Sequence, residues 1–61
     1  MELKPETQVT VEFKGHSEPW TIAELLEQYP TFTFETLVED IFDNLHDVES
    51  VEILGFHYLK N

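Results

Sequence analysis

The chain has 61 residues, thirteen of them Asp or Glu and three Lys, with neither Arg nor Cys, for a formal charge of −10. So short a chain folds as one domain, residues 1–61, burying only ~60% of its unfolded surface; without thiols it has no disulfide framework and no thiolate zinc, and its acidity opposes direct contact with nucleic acid or anionic lipid. Hydrophobic residues still make up 41% of the chain, which separates it from disordered acidic tails.

The amino-terminal MELKPETQ has no apolar run behind its charges, and no stretch of about 18 apolar residues follows, so a soluble cytoplasmic protein is expected. QVTVEF then alternates Val9, Val11 and Phe13 with Thr10 and Glu12, the period of a strand with one buried face. KGHS reads as a turn, and EPWTI as a short returning strand that Pro19 confines to a sheet edge. Trp20 is expected to pack as a core or staple residue beside it, the alternative being an exposed binding anchor.

Thr21 followed by Glu24 forms a capping-box pattern, so a helix is expected from about Ile22, with Leu25, Leu26 and Tyr29 on one side and Pro30 as its end. A second helix is expected from Thr33 as N-cap, with Phe34, Leu37, Val38, Ile41, Phe42 and Leu45 in one apolar stripe. Its other side carries Glu35, Glu39, Asp40, Asp43 and Asp47, with His46 beside them. VEILGFHYL reads as one final strand. Its apolar residues change phase between Ile53 and Phe56, which places a β-bulge at Gly55 and brings Val51, Ile53, Phe56 and Tyr58 onto a common face. The alternative is a strand apolar on both faces, whose outer face a partner chain would cover. The expected fold is α+β: a small antiparallel sheet of two or three strands with two helices packed on one face, in the order β-(β)-α-α-β.

No catalytic constellation emerges. His16 and Ser17 are neighbours in an extended or turn segment and point apart, and no phosphate loop or cofactor fingerprint is present, so neither an enzyme nor a cofactor is expected. Three dispersed histidines do not make a zinc site. The carboxylates are the better metal donors. The run from Asp43 fails the EF-hand pattern, having Val48 where the turn needs Gly; Glu39, Asp43 and His46, at i, i+4 and i+7, leave weak calcium binding as a minor alternative, and no metal site is assigned.

The acidic helix breaks a local rule. Glu35/Glu39 and Glu39/Asp43 are like-charge i, i+4 pairs, costing ~0.2–0.5 kcal/mol each in an isolated helix. Asp43 and Asp47 lie toward the negative end of the macrodipole. Carboxylates one turn apart have roughly the spacing of phosphates along one nucleic-acid strand. In composition the chain is similar to small DNA-mimicking inhibitors of bacteriophages and mobile elements. The leading expectation is therefore a non-enzymatic module whose face Glu35, Glu39, Asp40, Asp43 and Asp47 binds a basic protein surface, in its sharpest form that of a nucleic-acid-binding protein. The alternative is a structural protein that dimerises through Leu54, Phe56 and Tyr58, since so small a core often needs oligomerisation.

Overall fold

Two glycine turns organise the chain. In the computed structural model, which describes residues 3–60, Gly15 (φ +93°) and Gly55 (φ +83°) each end a two-residue connection in a left-handed conformation, which glycine adopts without a Cβ penalty. Gly15 joins β1 (Gln8–Phe13) to β2 (His16–Thr21), and Gly55 joins β3 (Val48–Ile53) to β4 (Phe56–Leu59). Between the hairpins lie α1 (Ile22–Gln28) and α2 (Leu37–Asn44).

The order is thus β-β-α-α-β-β, and the strands form one antiparallel sheet, β2-β1-β3-β4. The α+β class agrees with the sequence reading; the strand number does not. What reads as one carboxy-terminal strand is a hairpin, because Leu54 and Gly55 turn the chain back and pair Ile53 with Phe56. Gly55 is therefore a turn residue and not a bulge. Val51, Ile53, Phe56 and Tyr58 do share a face, but as the cross-strand partners Val51↔Tyr58 and Ile53↔Phe56. The irregularity in the sheet lies elsewhere: Glu12 pairs with Ser50 and Phe13 with Val48, leaving Glu49 as the extra residue of β3.

Val9 and Val11 on β1 are fully buried and face the helices together with Val51 and Ile53. Ile22 and Leu25 of α1 and Leu37 and Ile41 of α2 close this single core. α1 lies against β2 and α2 against β3. β2 is an edge strand, as Pro19 requires. Counting from the hairpin closure at Phe13↔His16, Pro19 sits opposite Thr10 at a non-hydrogen-bonded position, so the N–H it lacks would have pointed away from the sheet. Trp20, paired with Val9, packs partly buried against the core, and its indole Nε1 is shielded without a hydrogen-bond partner.

α1 begins where the sequence places it. The Glu24 N–H donates to Thr21 Oγ1 at 3.1 Å, and the Thr21 N–H donates to Glu24 Oε1 at 2.8 Å, a complete capping box. α2 is shorter than expected, starting at Leu37 with Thr36 as its cap residue. Phe34 accordingly leaves the apolar stripe and stands 38% exposed, while Phe32 enters the core and stacks on Tyr29 at 4.7 Å between ring centroids. Leu37 and Ile41 are buried as expected, with Val38, Phe42 and Leu45 packed at the margin.

Removing the α1 cap tests this account. Thr21→Ala, which loses one half of the box, is expected to lower stability by about 1 kcal/mol. Urea unfolding would read this as a lower midpoint with an unchanged slope.

Candidate functional site

The five acidic positions singled out in the sequence have different surroundings. Asp40 is structural. Its Oδ2 accepts from Thr36 Oγ1 at 2.7 Å and from the Thr33 N–H at 3.3 Å, while the Thr36 N–H donates to Thr33 Oγ1 at 3.2 Å. Because the single Thr36 hydroxyl proton goes to Asp40, the 2.7 Å contact between the two hydroxyls has Thr33 as donor. Both threonines and Asp40 are thus joined in one network that fixes the turn before α2. Glu35 lies in that turn, outside the helix, and Asp47 lies beyond its end at φ +63°, its carbonyl accepting from the Lys14 N–H at 3.3 Å.

Only Glu39 and Asp43 keep the i, i+4 helical spacing, both exposed. Glu39 is in the first turn, where the dipole favours an anion. Asp43 is in the last turn, which has no basic residue to offset it. The acidic stripe is therefore shorter than the sequence spacing predicts. His46 also falls past Asn44, so Glu39, Asp43 and His46 do not line one helical face. Among the described residues no group of three or more His, Asp or Glu is arranged to hold a metal ion.

The two free carboxylates stand on the rim of a groove. Its apolar floor is Val38 and Phe42 of α2 and Tyr58 of β4, with His57, Leu59 and Lys60 also lining it. It continues past Val38 and Tyr58 to a second depression walled by Phe34, Glu35, Leu37 and Leu54. β4 lies outside the cover of the helices, with all four of its residues exposed. Leu54, Phe56 and Tyr58, read from the sequence as a dimer surface, are 47%, 50% and 42% exposed. The groove therefore joins Leu54 and Tyr58 of the apolar surface to Glu35, Glu39 and Asp43 of the acidic one.

The left-handed backbone of Leu54 is a feature the sequence reading missed. This residue occupies the first position of the β3–β4 turn at φ +53°, a left-handed conformation that costs a side chain other than Gly, Asn or Asp roughly 1–2 kcal/mol. A turn with positive φ at both central positions prefers Asn-Gly. A large apolar residue is held there, strained and exposed, at the mouth of the groove. The one signal was Gly55 between two β-rich runs.

The opposite, open sheet face is polar. Ser50, buried at 6%, donates its hydroxyl to Glu12 Oε1, and His57 Nε2 lies 3.5 Å from Glu12 Oε1 and 3.7 Å from Glu52 Oε1. The carboxylate stands between serine and histidine, so the histidine is not placed to take the serine proton. On β2, His16 and Ser17 point to opposite faces, and His16 stacks on Phe13 and bonds Glu18 at 3.2 Å. No described helix is long and apolar enough to cross a membrane.

Fold and site together define a small four-stranded α+β protein with one amphiphilic groove. No protein-family model matches the chain, and no curated protein or solved structure is significantly similar to it.

Three substitutions separate structural from free positions. Asp40→Ala is expected to destabilise by ~1–2 kcal/mol, since it strips the Thr33–Thr36 turn of its acceptor, whereas Glu39→Gln and Asp43→Asn stay within about 0.5 kcal/mol of wild type or gain slightly. Leu54→Asn is expected to stabilise by roughly 0.5–1 kcal/mol through relief of the left-handed strain, raising the thermal midpoint by a few degrees. Calorimetry on the four proteins reads both.

Proposed function

We propose that this protein is a non-enzymatic interaction module that takes a basic protein surface into the groove between α2 and β4. The observation that carries this reading is the convergence, on one side of the fold, of the exposed apolar side chains Phe34, Leu54 and Tyr58 with Glu35, Glu39 and Asp43. Each half of that surface would be unremarkable alone. Together they match an amphipathic partner whose apolar side chains fill the floor and whose Lys or Arg groups reach the rim.

The energetics divide accordingly. Covering a half-exposed aromatic contributes on the order of 1 kcal/mol. The net charge of −10 attracts a basic partner over a screening length of about 8 Å at physiological salt, which speeds encounter more than it strengthens the final contact. The strain at Leu54 supports the same reading, because a turn selected for stability alone would carry Asn there.

Nucleic-acid mimicry, with a nucleic-acid-binding protein as partner, is the narrower form. It draws less support from the geometry. A phosphate-like row needs several evenly spaced free anions, and here the even spacing extends over Glu39 and Asp43 while Asp40 is engaged with Thr33 and Thr36.

Immobilised protein is presented to a nuclease-treated lysate as wild type, as Glu39→Gln/Asp43→Asn and as Tyr58→Thr, each first shown to be folded by circular dichroism. A protein held by wild type, reduced about tenfold by either variant and released between roughly 50 and 300 mM salt is the expected result. Equal capture by all three, or none by any, overturns the reading.

A further inference from the structure

β4 is a sheet edge that the chain has left open. Hydrogen-bonding alternation follows from the closure of its hairpin: Ile53↔Phe56 and Val51↔Tyr58 are the bonded pairs, and Lys60 continues the ladder by donating its N–H to the Glu49 carbonyl. The backbone N–H and C=O groups of His57 and Leu59 therefore point away from β3. The other edge is treated differently. On β2 the outward positions are Ser17, Pro19 and Thr21: Pro19 in the middle has no N–H to offer, the Thr21 N–H is taken by Glu24 Oε1, and Ser17, which keeps its N–H, stands next to the charge of Glu18. Proline and charge are the usual protections of a sheet edge. β4 has neither within its four residues, FHYL.

We infer that the partner adds to this edge as an extended strand, hydrogen-bonded to the backbone of His57 and Leu59, with its side chains on the helix side entering the α2–β4 groove. The inference rests on the function proposed above and specifies how the groove is used. In a strand laid against β4, alternate side chains fall beside Phe56 and Tyr58 over the Val38–Phe42 floor. Glu39 and Asp43 on the far rim select lysine or arginine among those side chains, so the occupant is a segment whose every second residue is in turn apolar and basic, which puts both kinds on the helix side. A second copy of this chain is the poorer occupant. It brings its own charge of −10 and only three lysines, and pairing β4 with β4 would set two acidic proteins side by side.

The probe is a synthetic peptide, Val-Thr-Lys-Thr-Val-Thr-Lys, acetylated and amidated at its ends, in which valine and lysine alternate along one face; a peptide of the same composition with its lysines and valines in separate blocks is the control. Amide exchange of the full chain is followed by NMR. With the alternating peptide the His57 and Leu59 amides are expected to slow several-fold, while those of Phe56 and Tyr58, already bonded to β3, are slow throughout. Leu59→Pro removes an outward donor without touching the β3–β4 ladder. It is expected to weaken binding about tenfold, the worth of roughly one hydrogen bond, with Tyr58 still protected; Leu59→Ala, which keeps the N–H, is expected to bind more tightly than Leu59→Pro. Unchanged His57 and Leu59 exchange in the bound state, equal binding by Leu59→Pro, equal binding of the block peptide or no binding at all overturns strand addition. So does protection of both amides in the free protein with sedimentation as a dimer, which would make a second copy the occupant. The interaction-module reading fails separately, when capture from the lysate does not depend on Glu39, Asp43 and Tyr58.

Discussion

The rest of the structure depends on β1 being paired on both sides while only one face of the sheet is covered. Val9 and Val11 are fully buried because β2, β3 and both helices converge on them. A helix of seven residues and one of eight span only about 10–12 Å each at 1.5 Å per residue. That cover serves β1 and β3, where the buried strand residues lie, and half-buries Trp20 on β2. β4 is then attached through hydrogen bonds to β3, with little burial of its own. A strand held in this way extends the sheet and exposes apolar side chains, the combination that gives the groove its character.

The two ends of the sheet are finished differently, and the difference is chemical. β2 carries Pro19 at an outward-facing position and Glu18 next to it, and its Trp20 packs on the core. β4 presents free amides and the side chains of Phe56, Tyr58 and Leu59. Small proteins need their edges blocked to stay monodisperse, and the net charge of −10 gives this chain a general protection against self-association that a local device on β4 would otherwise supply. Like-charge repulsion discourages a second copy and does not discourage a basic segment. Selectivity for partner over self can thus arise from the same acidity that the composition displays.

How much of this was legible depended on the range of the interaction involved. The start of α1 could be read because Thr21 and Glu24 satisfy each other within one turn. β1 could be read from its alternation, and the edge position of β2 from Pro19. The start of α2 could not. Thr33 and Thr36 are both acceptable cap residues, and the choice is made by Asp40 reaching back to bond the two of them. That choice moves Phe34 out of the core and admits Phe32, a swap no periodicity would indicate. The final hairpin was hidden for a related reason: Leu-Gly is not a turn signature, because leucine at positive φ is unfavourable, so the break between β3 and β4 was read as a bulge.

The sequence by itself determined the α+β class, the one-sided burial of β1, the capped first helix, the proline edge and the strong negative charge, all of which follow from composition or from contacts a few residues apart. Tertiary structure alone decided that Leu54 and Gly55 reverse the chain, that Asp40 is structural while Glu39 and Asp43 are free, and that the acidic helix and the apolar last strand line one groove. Those outcomes rest on cross-strand register and on the packing of α2 against β3. Both are fixed by residues distant in the chain, which local propensity does not encode.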